Sequence, residues 1–211
     1  MISKIISVLS LFVLGVINKI GYVGVFLLMT LESANIPIPS EVTMPFAGFL
    51  VSSGRFNLWI LILIGALGNL FGSWFSYYIA YLVGQPLARF FKNSNFFRDD
   101  YEKAERFFQK YGFASVFWSR LLPIIRTFIS FPAGVFRMSF WKFSYLTFIG
   151  SLIWTGILTW LGFYLGSNWN VLGGYFHKFD YVIVIIGVLL VGYYIYSKIR
   201  KFKPEVPKNI Q

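Results

Sequence analysis

The sequence predicts an all-α polytopic membrane protein, and three of its features support this prediction. Of the 211 residues, 57% are hydrophobic and 21% are aromatic, a composition that soluble domains rarely reach. Residues 56–88 and 143–166 carry no charge, and each segment is long enough to span a bilayer. Two other apolar segments are interrupted by prolines, which break or kink helices.

We predict two inverted repeats, each a re-entrant helical hairpin followed by a transmembrane helix, with an N-terminal helix and a C-terminal transmembrane helix. The predicted domains are an N-terminal helix at 1–20, a transport domain at 21–166, a loop with the last transmembrane helix at 167–197, and a basic cytoplasmic tail at 198–211. The transport domain divides into repeat one at 21–88, a cytoplasmic connector at 89–110 and repeat two at 111–166. The N-terminal helix is barely long enough to span, so an interfacial position stays open for it.

The distribution of lysine and arginine predicts the orientation of the chain. The formal net charge is +11, and much of the excess lies in the connector at 89–110 and in the tail from residue 198. Short loops rich in these residues stay on the cytoplasmic side, so we place the connector and the C-terminus there. This accounts for the basic balance without a nucleic-acid partner.

The first predicted hairpin carries the acidic groups of repeat one. Its sequence runs Glu32-Ser-Ala-Asn-Ile-Pro-Ile-Pro-Ser-Glu41. Pro37, Pro39 and Gly48 are its predicted breaks, Gly48 at its exit. Proline breaks a helix because it removes a backbone donor and clashes with the preceding turn. Irregular backbone at membrane depth is tolerated only where it lines a cavity or is buried in protein.

The second predicted hairpin carries arginines in place of glutamates. Arg120 and Arg126 flank Pro123, and Pro132 and Gly134 complete the predicted breaks. Arginine stays charged in proteins, and a charge at the bilayer centre costs about 2.5–3.5 kcal/mol on insertion scales. Both guanidinium groups should therefore face a protein-lined cavity that is wet or holds an anion.

The two halves repeat one another. Pro45-Phe-Ala-Gly-Phe49 aligns with Phe131-Pro-Ala-Gly-Val135, and similar aromatic segments and Ile-Gly pairs follow at nearly the same offset. With the orientation above, the copies are inverted. Interrupted hydrophobic segments in corresponding positions of two halves point to a substrate site near the midplane.

The opposite charges of the hairpins allow two interpretations. In the first, Arg120 and Arg126 hold an anion while Glu32 and Glu41 carry a proton or compete for the arginines. In the second, the four groups form a structural lock of buried ion pairs, which fix register even where they add no stability. Paired guanidinium groups suit phosphate, and a lipid phosphate would keep its tails in hydrocarbon.

Some polar residues of the uncharged spans also allow two interpretations, since they either line a lipid path or hold helices together. These residues are Asn69, Ser73, Ser76 and Thr155. The sequence contains no nucleotide-binding loop, Ser–His–Asp set or metal-ligand cluster. It also lacks cysteine, so no thiolate site exists. We therefore expect no enzyme activity, no cofactor and no metal.

At its charged hairpins the chain resembles the DedA family, also described as VTT-domain or SNARE-associated Golgi-like membrane proteins. The matching segments are Ile36-Pro-Ile-Pro-Ser-Glu41 after Glu32, and Arg120-Leu-Leu-Pro-Ile-Ile-Arg126-Thr followed by Pro132-Ala-Gly. The resemblance implies that Glu32, Glu41, Arg120 and Arg126 are the essential charges. Some members carry aspartate after a Pro-Gly at the second acidic position, where this chain has Pro39-Ser-Glu41.

The resemblance implies a multi-pass lipid transporter of the bacterial cytoplasmic membrane. We expect it to translocate undecaprenyl (polyprenyl) phosphate for carrier-lipid recycling in cell-envelope synthesis. The alternatives are a flippase or scramblase of a phospholipid such as phosphatidylethanolamine, and a structural or assembly protein with a buried charge lock. The expected partners are a lipid phosphate and the bilayer, while coupling to protons or another ion and homo-oligomerisation stay open.

Overall fold

The computed structural model describes residues 2–93, 98–123 and 125–165, and these residues contain helices and no strand. The helices are α1 (Ile2–Ser33), α2 (Ser40–Ser52), α3 (Leu58–Asn93), α4 (Arg98–Ser119), α5 (Ile125–Phe128), α6 (Ser130–Val135) and α7 (Phe140–Leu165). The prediction of an all-α chain is thus confirmed over this part. The predicted last transmembrane helix at 167–197 and the tail at 198–211 lie outside the described residues.

Three helical segments of the described part are long and apolar enough to cross a membrane. They are Leu11–Ser33, Leu58–Asn93 and Phe140–Leu165. The second and third confirm the predicted spans at 56–88 and 143–166. The first crosses the boundary predicted between residues 20 and 21, where the non-helical Gly21 divides α1 into two helical parts. The chain is a membrane protein with several apolar helices.

Helix α1 bends sharply at Gly21, next to the predicted end of the N-terminal helix. Gly21 has φ 59° and ψ −131°, outside the helical region. Glycine adopts a positive φ readily because it has no Cβ, whereas other residues are strained there. The bend therefore depends on glycine, and it sets the direction of the segment that ends near Glu32.

We expect Gly21→Ala to lower the free energy of unfolding by about 1–3 kcal/mol, because alanine would be held in a sparsely populated backbone conformation. Thermal unfolding of the purified protein in detergent measures the change. Gly15→Ala, in the same helix, is the matched control, since an added Cβ there meets no atom within 4 Å. Equal stability of the two variants would contradict the strain at Gly21.

Helix α3 begins at a side-chain cap. The Asn57 Oδ1 atom accepts hydrogen bonds from the backbone N–H groups of Trp59 (3.0 Å) and Ile60 (3.2 Å). Asparagine is a preferred N-cap because it satisfies N–H groups that lack an intrahelical partner. The backbone N–H of Asn57 donates in turn to the Tyr22 hydroxyl at 2.6 Å. The start of α3 is thereby fixed beside the bend in α1.

Both predicted hairpins contain a helix–break–helix arrangement. Residues 34–39 connect α1 to α2 without helix and contain Pro37 and Pro39. Residues 120–123, which follow α4, are also non-helical and contain Pro123. The segment after the second break has a further interruption at Ile129, between α5 and α6. Pro132 accounts for it, because proline cannot donate to the carbonyl four residues earlier.

The interior of this bundle contains many polar side chains beside its apolar clusters, and its exterior is apolar. Many fully buried residues are hydroxylic, namely Ser40, Thr43, Ser73, Thr147, Thr155 and Thr159. Large exposed side chains include Trp59, Phe75, Leu82, Trp141 and Tyr164. An apolar exterior of this extent suits a lipid environment, and it leaves the interior for groups that need protein partners.

The helix after each break packs on a long apolar helix, α2 on α7 and α6 on α3. In α2, a Cβ at Gly48 would meet the carbonyl oxygen of Thr159 in α7. In α6, a Cβ at Gly134 would meet the carbonyl oxygen of Tyr77 in α3. The absence of a side chain thus allows backbone-to-backbone contact at both crossings. Gly48 and Gly134, which the sequence predicts as breaks, lie inside helices and serve these contacts.

The polar residues of the long spans join neighbouring elements. Ser33 Oγ donates to Asn69 Oδ1 at 2.7 Å, and Ser76 Oγ donates to the carbonyl oxygen of Ser33 at 3.1 Å. Thr155 Oγ1 bonds the carbonyl oxygens of Ser151 (2.8 Å) and Ile62 (3.2 Å). These contacts indicate that Asn69, Ser76 and Thr155 hold helices together rather than line a lipid path.

Candidate functional site

A buried ion pair joins the first helix–break–helix segment to the second. Arg126 Nη2 donates to Glu32 Oε1 and to the Ser40 hydroxyl. The backbone N–H of Ser40 donates to the same carboxylate oxygen at 3.0 Å. Glu32 is 5% exposed and Arg126 is 4% exposed. The end of α1, the start of α2 and the single turn of α5 therefore meet at one carboxylate.

The second arginine lies beside this pair. Arg120, directly after α4, is 2% exposed, and its Nη2 atom donates to Ser130 Oγ at 2.9 Å. Its charge interacts with those of both Arg126 and Glu32. Its stem lies against Gly150, where an added Cβ would come within 2.5 Å of the Arg120 Cβ. Any side chain at position 150 would displace this arginine.

One face of α7 lies against both guanidinium groups. The Arg120 guanidinium carbon is 5.8 Å from the centre of the Phe143 ring, and that of Arg126 is 5.1 Å from the centre of Trp154. Residues 143, 147, 150 and 154 follow the three- and four-residue spacing of a single helical face. Cation–π contact compensates part of the cost of burying the charges.

Glu41 lies at the edge of this group. It is half-buried in the first turn of α2, close enough to Glu32 for their charges to repel. Within the described residues, its carboxylate makes no hydrogen bond or ion pair with either arginine. The structure thus brings Glu32, Arg120 and Arg126 together as deeply buried groups and places Glu41 beside them. The roles predicted for all four residues stay predictions.

The two serines that bond the arginines were not predicted from the sequence. Ser40 and Ser130 are the first residues of α2 and α6, the helices that return from the two breaks. Both side chains are fully buried. A serine next to the proline-containing break is the signal that was present for Ser40. Nothing in the local sequence distinguishes Ser130, because its partner Arg120 depends on how the break folds.

The charges of the deeply buried groups do not balance. Among the described residues, two guanidinium groups, each below 5% exposure, are accompanied by one carboxylate of similar burial, which bonds Arg126. Burying an uncompensated charge is costly, so the site favours a further negative group. Arginine offers forked donors that match the oxygens of carboxylate or phosphate. In the described residues there is no group of three or more His, Cys, Asp or Glu side chains that would hold a metal ion.

Comparison with known proteins identifies the family. The VTT domain matches residues 38–164. A Bacillus subtilis protein named undecaprenyl phosphate transporter A is 31% identical over 185 residues, covering 87% of this chain and 91% of its own. A Lactococcus lactis protein named alkaline phosphatase-like protein is 34% identical over 205 residues, covering 93% and 94%.

The protein DedA of Escherichia coli is 29% identical over 177 residues, covering 81% of this chain and 78% of its own. No solved structure matches the chain. The domain match covers more than half of the sequence and includes Glu41, Arg120 and Arg126. The chain belongs to the VTT-domain family, the DedA family of membrane proteins.

Proposed function

We propose that the chain transports undecaprenyl (polyprenyl) phosphate across the bacterial cytoplasmic membrane, returning the carrier lipid for cell-envelope synthesis. The observation that carries this proposal is the pair of buried arginines with a single deeply buried carboxylate beside them in the described residues. A phosphate headgroup would supply the missing negative charge, and its apolar chain would stay in contact with lipid. A relative with the name of undecaprenyl phosphate transporter supports the choice of lipid.

In the proposed cycle, the phosphate competes with Glu32 for Arg126. Glu32 and Ser40 occupy the Arg126 guanidinium in this structure, so a headgroup must displace the carboxylate or meet it protonated. Protonation would remove the charge that holds Arg126 and free it for phosphate. Glu41, which is less buried, would exchange a proton with Glu32 in this cycle. We therefore propose coupling to protons through these two carboxylates.

We further propose that the two helix–break–helix segments are re-entrant hairpins of two inverted repeats. The exchanged packing of Gly48 on α7 and Gly134 on α3 supports this proposal, because corresponding glycines of the two halves make corresponding contacts. Inverted repeats of this kind allow one half to move against the other around a fixed site. The positive residues of the connector favour a cytoplasmic position for it and for the C-terminus.

The test is a vesicle assay with purified protein. Vesicles holding undecaprenyl phosphate or labelled phosphatidylethanolamine are compared with and without a pH gradient. We expect the protein to move undecaprenyl phosphate, faster with the gradient, and Arg120→Lys to abolish movement, since lysine lacks the forked donors of arginine. Movement of phosphatidylethanolamine alone would favour a phospholipid flippase instead.

Two further readouts separate the remaining alternatives. Release of inorganic phosphate from the lipid would indicate a phosphatase, the activity in the name of the Lactococcus lactis relative. A charge exchange, Glu32→Arg with Arg126→Glu, tests the structural lock, because a lock depends only on opposite charges. We expect the exchanged protein to fold and to remain inactive, and restored transport would support the lock.

A further inference from the structure

Buried hydrogen-bond donors without partners lie beside the two arginines. In the described part of the chain, five buried side-chain atoms have no hydrogen-bond partner, and they are Glu32 Oε2, Asn69 Nδ2, Arg120 Nε, Thr147 Oγ1 and Trp154 Nε1. Four of these atoms can donate a hydrogen bond. A buried donor without an acceptor costs about 1–3 kcal/mol, and native structures contain few of them.

Two of the unpartnered donors share one face of α7 with the arginine contacts. Thr147 is fully buried and lies one turn from Phe143 and from Gly150. These two residues contact the guanidinium and the stem of Arg120. Trp154, one turn further along the same face, lies under the guanidinium of Arg126. Arg120 Nε belongs to a side chain packed on that face, so the three donors accompany the two positive charges.

The chemistry of this face suits an acceptor-rich anion. The indole N–H of tryptophan only donates, and a buried indole usually finds an acceptor. Arg120 has used Nη2 on Ser130 and retains Nε, and Arg126 is bonded to Glu32 and Ser40. A tetrahedral phosphate presents several oxygens, each able to accept more than one bond. One headgroup could thus satisfy donors from α7 and from both arginines.

We propose that Trp154 and Thr147 are phosphate-binding residues, whose N–H and O–H donate to headgroup oxygens of the transported lipid beside Arg120 and Arg126. This inference rests on the proposed function and adds the helix that would complete the headgroup site. It also gives Trp154 a role beyond its packing against the apolar core. The donors would be unpaired before the lipid enters and paired once it is bound, so they favour the loaded state.

Trp154→Phe and Thr147→Val test the proposal, because each removes a donor and keeps most of the side-chain volume. We expect each variant to raise the undecaprenyl phosphate content needed for half-maximal transport by about tenfold. This is the effect expected when one hydrogen bond to a charged group is lost. We expect the melting temperature of the lipid-free protein to stay the same or rise, since an unpaired buried donor has been removed. If either residue had a purely structural role, its substitution would instead lower the melting temperature.

Trp141→Phe is the matched control, since Trp141 lies in the same helix with 79% exposure. It should leave half-saturation unchanged. If the wild type transports undecaprenyl phosphate and Trp154→Phe and Thr147→Val match its half-saturation, the inference is wrong and the proposed function stands. If the wild type moves only phosphatidylethanolamine, the proposed substrate is wrong, and the same shifts should appear with that phosphate lipid. If it binds neither lipid, both proposals fail.

Discussion

Arg126→Ala is expected to abolish lipid transport and to lower the free energy of unfolding by about 3–5 kcal/mol. The stability loss follows because Glu32 would stay buried without its cation, and breaking a buried pair from one side is strongly destabilising. The transport loss follows because one of the two guanidinium groups proposed for phosphate would be gone. Unfolding in detergent and the vesicle assay measure the two effects separately.

A second variant distinguishes substrate binding from simple charge balance. Arg126→Ala combined with Glu32→Ala removes both charges, so much of the stability should return while transport stays absent. Arg106→Ala is the surface control, because Arg106 pairs with Glu102 at 3.8 Å and is 68% exposed. Such pairs contribute at most about 1 kcal/mol. Transport by the double variant would overturn the assignment of Arg126 to phosphate.

Gly162→Ala is expected to cause the other large loss, at least about 1–3 kcal/mol, which is typical of overpacking in a close-packed interior. A Cβ there would overlap the carbonyl oxygen of Pro45, which is backbone and has little freedom to move. Helix α2 would have to shift away from α7, and Ser40 would move with it. The ion pair at the start of α2 should therefore weaken, and transport should fall together with the melting temperature.

Gly156→Ala in the same helix is the matched control. Its added Cβ would have Ile62 Cγ2 at 3.9 Å as its nearest neighbour, an ordinary van der Waals contact. Alanine favours helix more than glycine by about 1 kcal/mol, so this variant should be as stable as the wild type or more stable. Gly134→Ala should behave like Gly162→Ala, because it would press α6 away from α3. Equal melting temperatures for Gly156→Ala and Gly162→Ala would refute the close crossing.

The long helices could be predicted because uncharged apolar segments mark membrane spans directly in the sequence. Helix α3 begins at Leu58, directly after the capping Asn57, and α7 ends at Leu165, within one residue of its predicted end. The proline-containing breaks were also visible, since proline acts on its own backbone. Local chemistry determines each of these features, so one sequence was enough to find them.

The pairing within the site could not be predicted, because it depends on the direction in which each break sends the chain. Both Glu32 and Glu41 were candidates for Arg126, and the structure joins Arg126 to Glu32. Ser130 gave no signal, since its contact with Arg120 spans the second break. Gly48 and Gly134 were interpreted as breaks because their long-range partners in α7 and α3 do not appear in the local sequence.

The packing of α2 on α7 and of α6 on α3 has a consequence for the evolution and assembly of the chain. Helix α2 packs on α7 and α6 packs on α3, so each predicted repeat depends on the other for part of the packing of its long helix. Residues 1–167 accordingly form one compact unit. If the chain arose by duplication, two short ancestral copies would have formed a domain-swapped dimer. Fusion would then have joined the two copies in one chain. Two separately expressed halves should still associate in the same bilayer.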